Sequence, residues 1–204
     1  MEKFIITISR EYGSGGRHIG DLLASDLGVP FYDRDIIQMA SEKSGLSAGF
    51  IEKSDESIPS TFLHNLKYSG YTSTDIVSFY DTPVTDKVFL AQSAVIREVA
   101  SQGNCVIAGR CAGYILRDEP DLVTVFIRAR IEDRVGYAVK HYDLSPENAL
   151  DRIKKIDKSR MNYYKYYTNR TWGSTDNFDL VINTTFTGIE GAVNVIKAML
   201  NEKR

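Results

Sequence analysis

Ile5-Ile6-Thr7-Ile8-Ser9-Arg10-Glu11-Tyr12-Gly13-Ser14-Gly15-Gly16-Arg17-His18-Ile19-Gly20 reads as strand, glycine loop and helix. Phe4 to Ile8 is a short apolar, β-branched run suited to a strand buried on both faces. Gly13, Gly15 and Gly16 let the chain turn sharply and bring backbone N–H groups against a bound group with no Cβ in the way. From Arg17 onward Ile19, Leu22, Leu23 and Leu27 recur at helical spacing until Gly28 and Pro30 stop the helix. A strand that delivers a glycine loop to a helix N-terminus is a site for anions, above all phosphate. Three close glycines also serve any tight connection, so the loop alone leaves both readings open. The common phosphate loop G-x-x-x-x-G-K-[ST] places a Lys after its last glycine and a hydroxyl after that. With Gly15 as that last glycine, Gly16 stands at the Lys position, Arg17 at the hydroxyl position and Arg10 at the opening glycine.

A chain of 204 residues with 43% hydrophobic composition can bury a full core without disulfides or metals, so one globular domain is expected. Its 25 basic and 27 acidic residues nearly cancel, which argues against general nucleic-acid or membrane-surface binding. Cys105 and Cys111 lack C-x-x-C spacing and read as inert thiols in a reducing compartment. The three histidines form no metal-ligand cluster, and no metal-ligating residue is assigned. No signal peptide precedes the first strand and no apolar run approaches membrane-spanning length; a soluble cytoplasmic protein is expected.

Further along, Val29 to Tyr32 predicts a second strand ending in Asp33-Arg34-Asp35. Charged residues there face the crevice where parallel sheets bind ligands, although Asp33 or Asp35 would equally cap a helix beginning near Ile36. Residues 45 to 85 suggest short helices in a mobile insertion, with His64 as surface or packing. A helix over Asp86 to Gln102 stops at Gly103, and Asn104 to Ala108 forms the next strand, ending in Gly109-Arg110-Cys111. Beside a glycine at a strand end, Arg110 suits anion binding; a surface ion pair is the alternative. After a short helix and Pro120, Leu122 to Ile127 is the fourth strand, and of Arg128, Arg130 and Arg134 at its exit Arg134 is placed to turn into the cleft. Ser145 to Thr168 predicts a long helix capped by Ser145 with Pro146 in its first turn. Ile153, Ile156, Arg160, Tyr163 and Tyr167 share one stripe, and an Arg there is costly unless it meets an anion. The helix is therefore either a solvated basic face or a basic lid over phosphates. Asp179 to Asn183 gives the fifth strand, followed by an amphipathic helix carrying Ile189, Ala192, Val193, Ile196 and Leu200. Alternating strands and helices imply an α/β fold, a parallel sheet with helices on both faces.

Ser9-Arg10-Glu11-Tyr12-Gly13-Ser14-Gly15-Gly16-Arg17, Phe31-Tyr32-Asp33-Arg34-Asp35, Gly109-Arg110, Ile156-Asp157-Lys158-Ser159-Arg160 with Tyr163, and Leu180-Val181-Ile182-Asn183-Thr184 together resemble the cytidylate kinase-like group of P-loop nucleoside monophosphate kinases, from Ile5 to the C-terminal helix. The resemblance implies a three-layer P-loop kinase fold with a five-stranded parallel sheet of order 2-3-1-4-5. It also implies an acceptor-binding insertion at about residues 34 to 85 and a helical lid at about 135 to 170. Gly13, Gly15, Asp33, Arg110 and Asp157 match the family pattern. Gly16 replaces its Lys, Arg34 a small hydroxyl residue and Cys111 an Asp, and no basic residue stands near Met39.

Activity follows from the same resemblance: transfer of the γ-phosphoryl group of ATP, with Mg²⁺, to a small phosphate acceptor, a nucleoside monophosphate with altered specificity. Gly13, Ser14, Gly15, Gly16, Arg17 and His18 would hold the donor phosphates, with Arg17, or Arg10 beside it, supplying the charge of the missing Lys. Arg17, Asp33, Arg110 and Arg160 are the candidate catalytic residues. Asp33, Arg34, Arg110, Lys155, Asp157 and Lys158 are the candidate acceptor-binding residues. A noncatalytic nucleotide-binding module, or a kinase of a non-nucleotide small molecule, is the alternative.

Overall fold

A computed structural model describes residues 3–54 and 84–202. The expectations for residues 55–83, His64 among them, lie outside the described residues. Strand β1 (Ile5–Arg10) leads through the glycine loop into α1 (Gly16–Leu27), and β2 (Phe31–Tyr32) into α2 (Asp35–Ser44) and α3 (Ala48–Ser54). Helix α4 (Val84–Ser101), β3 (Cys105–Ala108), α5 (Ala112–Ile115) and β4 (Leu122–Arg128) follow. Helices α6 (Ile131–Tyr142) and α7 (Pro146–Thr168), β5 (Leu180–Asn183) and α8 (Thr184–Glu202) complete the order.

Among the described residues all strand pairs are parallel and the order is β2-β3-β1-β4-β5, as the family resemblance implies. Ile5 lies between Cys105 and Leu122 in register, so β1 is central and its side chains are covered on both faces. Alternation along β1 sends Ile6 and Ile8 to a layer with Ile19 and Leu23 of α1 and Val193 and Ile196 of α8. Ile5 faces the opposite layer with Ile36, Val95, Ile96, Val99, Tyr163 and Tyr164. Each such aliphatic side chain contributes about 1.5–3 kcal/mol relative to exposure.

Boundaries differ from the sequence expectation where hydrogen bonding outruns apolarity. β1 extends past Ile8 because Ser9 and Arg10 stay in register with Phe126 and Ile127. Ser145 occupies the cap position of α7, yet its hydroxyl makes no capping bond and accepts instead from Asn148 Nδ2 at 2.9 Å. Gly188, at φ +66°, breaks α8 between Thr184–Thr187 and the amphipathic part. No helix among the described residues is long and apolar enough to cross a membrane.

Both cysteines are buried and neither is in a disulfide, and burial pushes the Cys105 thiol up to about 11. The native protein is accordingly expected to resist a thiol-specific chromophoric reagent at pH 8 and to react at two sites once unfolded; rapid native labelling of both would contradict this packing.

Candidate active site

Strand order builds the site. Because β2, β3 and β1 are neighbours, the residues that leave their carboxyl ends, Asp33, Arg110 and Arg10, are brought together. Asp33 is 6% exposed and meets three guanidinium groups: Arg10 Nη2 at 3.5 Å and Arg110 Nη1 at 3.4 Å on Oδ1, and Arg17 Nε at 2.8 Å on Oδ2. This settles the capping alternative against Asp33. Helix α2 starts from Arg34, without a side-chain cap bond. Arg110 and Cys111 both hold left-handed backbone, φ +52° and +56°, which costs about 1–3 kcal/mol per residue and turns Arg110 inward, where Nη1 also donates to the Ala108 carbonyl at 3.3 Å. Three guanidinium groups thus gather on one carboxylate, those of Arg10 and Arg110 buried with it and that of Arg17 reaching it from a side chain that is 56% exposed.

That cluster borders a cavity of about 460 Å³ between the glycine loop, α2, α3 and α7. Five arginines, 10, 17, 34, 110 and 160, and three carboxylates, Glu11, Asp33 and Glu52, line it. The loop beside it carries Gly13 and Gly15 at φ +82° and +78° and ends at the N-terminus of α1, whose first N–H groups have no partner within the helix. Ser14 is buried, its hydroxyl donating to the Glu11 carbonyl at 2.8 Å.

From beneath, α6 and α7 grip the loop. Asp157 Oδ1 accepts the Tyr12 N–H at 2.8 Å, while Arg134 Nε donates to the Tyr12 carbonyl at 2.8 Å. Arg134 also pairs with Asp157 Oδ2 and, at 3.4 Å, with Glu11 Oε2, which accepts the Ala129 N–H at 3.0 Å. Arg160 Nη1 donates to the Arg10 carbonyl at 3.0 Å, and its guanidinium stands 5.8 Å from the Tyr12 ring centre. Tyr142 packs on Tyr12 at 4.9 Å; burial first, then Tyr137 and Tyr12, raises its hydroxyl pKa and keeps it protonated.

Of the residues singled out in the sequence, Gly13, Gly16, Arg17, Asp33, Arg34, Arg110 and Arg160 line the main cavity. Gly13 and Ser14 also border a cavity of about 220 Å³ against Thr184, Thr185 and Ile189. Gly15 lies under Ile189 and Tyr137. His18 lines a third cavity, about 330 Å³, with Arg17, Tyr137 and His141, its Nδ1 3.5 Å from the Tyr137 hydroxyl. Lys155 and Lys158 are exposed and line none of the three, because the helical turn that aims Arg160 inward carries them to the far side of α7. Asp157 spends both oxygens on Tyr12 and Arg134 instead of facing the cavity. Arg134 turns under the loop, not into the cleft, since Glu11 and Asp157 hold its guanidinium there. Glu11 and Tyr142 were missed; the charge and ring directly before Gly13 were the only local signal for the first.

The family model described as cytidylate kinase-like matches residues 5–186. The chain is similar to a cytidylate kinase of Ignicoccus hospitalis, 25% identical over 197 residues that cover 96% of this chain and 98% of that protein. Among solved structures, an uncharacterized protein from Eubacterium ventriosum superposes with a TM-score of 0.72 at 22% identity, over 98% of this chain and 99% of that one. A shikimate kinase from Bacteroides thetaiotaomicron does so with a TM-score of 0.57 at 15% identity, again over 98% and 99%. These two likenesses concern the fold.

Proposed function

The chain belongs to the cytidylate kinase-like family, and from that premise we propose that it transfers the γ-phosphoryl group of ATP to a small acceptor, a phosphorylated or hydroxylated compound other than cytidine monophosphate. The observation that carries this reading is the convergence of Arg10, Arg17 and Arg110 on Asp33 beside the glycine loop. Guanidinium groups gathered beside a glycine loop suit the polyphosphate of a donor and the anion of an acceptor.

In the transfer, an acceptor phosphate oxygen, or a hydroxyl oxygen that releases its proton to water, bonds to the γ-phosphorus as the bond to the β,γ-bridging oxygen breaks, leaving ADP. ATP supplies the group, and Mg²⁺ neutralises its charge. Asp33 has both oxygens on guanidinium groups and the Ser14 hydroxyl donates to a carbonyl, so the metal would be held chiefly by phosphate oxygens and water. Backbone amides at the start of α1 cradle the donor phosphates, and Arg110 grips the acceptor anion. Asp33 keeps the arginines in place, and Arg160 meets charge that develops on the transferring group. Arg34 in the cleft wall and Cys111, which borders a small pocket with Arg10, Arg110 and Arg160, replace the residues that the family resemblance assigns to cytidine monophosphate, which supports the altered specificity.

The test is a coupled assay of ADP release over nucleoside monophosphates and small sugar and alcohol phosphates. Turnover on a member other than cytidine monophosphate is expected. With that acceptor, Arg160→Ala should lower kcat about 100-fold while ATP affinity changes little, as a transition-state contact requires. ATP binding with no turnover on any acceptor would leave the noncatalytic module as the better reading, and a clear preference for cytidine monophosphate would overturn the proposed specificity.

A further inference from the structure

The common phosphate loop has glycine at its opening position and lysine immediately after its last glycine. Here those positions hold Arg10 and Gly16, the two residue types exchanged. The exchange is physical as well as formal, because the two positions compete for one space. A Cβ built on Gly16 would lie 2.5 Å from Arg10 Cβ, 3.0 Å from Arg10 Cγ and 3.3 Å from Ile127 Cβ. Arg10 Cβ cannot step aside, since its backbone is fixed opposite Ile127 in the central strand. While any side chain at position 10 runs across the loop, position 16 must be glycine. Only glycine at position 10 would make room for lysine at position 16.

Arg10 takes the vacated role with its other end. Its stem passes over Gly16, it is 9% exposed, and its Nη2 lies 3.5 Å from Asp33 Oδ1, on the wall of the cavity that Gly13, Gly16 and Arg17 also line. We infer that Arg10 and Gly16 form a reciprocal exchange, in which the cation of the phosphate loop comes from the end of β1 instead of the start of α1. This rests on the reading of the cleft as an ATP site. It identifies Arg10 as a phosphate-binding residue of that site and makes Gly16 the condition for it.

The exchange predicts an inverted outcome for restoring the usual lysine. Gly16→Lys alone should lose about tenfold to a hundredfold in ATP affinity, as should Arg10→Gly, because one blocks the loop and the other removes a charge-assisted contact. The double variant Arg10→Gly/Gly16→Lys should return to within about tenfold of wild type, a strong coupling between two sites. Affinities for ATP and for adenosine would be measured by calorimetry, with thermal melts on every variant. The losses should appear for ATP and not for adenosine, since the lost contact is to phosphate. Arg10→Met, which keeps the stem without the charge, decides the matter if either glycine-exchange variant fails to fold. Additive losses in the double variant, undiminished ATP affinity in Gly16→Lys, or undiminished ATP affinity in Arg10→Met would each overturn the inference. Wild-type ATP binding without turnover on any acceptor would defeat the kinase reading and leave this one standing; absence of ATP binding would defeat both.

Discussion

Asp157→Ala is expected to cost about 3–5 kcal/mol of folding stability, the range for removing one partner of a buried ion pair. Arg134 is 6% exposed, so the substitution would strand a buried guanidinium with Glu11 at 3.4 Å as its remaining carboxylate. It would also take the acceptor from the Tyr12 N–H. Urea unfolding followed by far-ultraviolet circular dichroism gives the number. The double variant Arg134→Met/Asp157→Leu separates the charge from the packing: no buried guanidinium is stranded, and Glu11, which loses Arg134, is partly exposed and still accepts the Ala129 N–H, so the variant should be more stable than Asp157→Ala. A loss below about 1 kcal/mol for Asp157→Ala, the usual worth of an exposed pair, would mean that α6 and α7 do not hold the loop in this way.

Gly13→Ala is expected to abolish tight nucleotide binding, lowering ATP affinity more than about 100-fold, because a displaced loop would lose two or more backbone hydrogen bonds to phosphate, each worth about 1.5–3 kcal/mol. The added Cβ would sit 2.6 Å from the Arg134 carbonyl oxygen, a backbone atom that no rotamer change can move, at a φ of +82° that alanine rarely adopts. Gly45 supplies the control. It has φ +71° but nothing within 4 Å of its built Cβ, so Gly45→Ala should show only the strain, about 1 kcal/mol in a melt, with ATP affinity unaltered. Equal ATP affinity for Gly13→Ala and wild type would remove the glycine loop from the donor site.

The two substitutions probe different kinds of information in the chain. Gly13 stood out at once, because three glycines after a β-branched strand carry their own backbone logic. The resemblance implies Asp157 at the acceptor, whereas its carboxylate holds the Tyr12 N–H and Arg134 under the loop. Nothing in the spacing of α7 says that Asp157 meets Tyr12, since 145 residues separate them. The same gap explains Lys155 and Lys158. A basic run draws attention as a group, but a helix turns only some of its members inward, and which ones depends on what it packs against.

By itself the sequence determined the alternation of strands and helices, the glycine loop after the first strand, and charged residues at strand ends, because each depends on residues close in the chain. Apolar period, glycine placement and strand-end charge are local signals. Only the tertiary structure decided that Asp33 is the hub of three arginines, that Arg134 serves the loop, and that Arg10 and Gly16 share one space. Arg110 and Asp33 lie 77 residues apart and meet because β3 lies beside β2. Arg10 meets Gly16 because pairing with β4 holds the end of β1 straight past Ile8. Ion pairs and steric exclusions act over a few ångströms, and the pairing of strands sets which residues come that close.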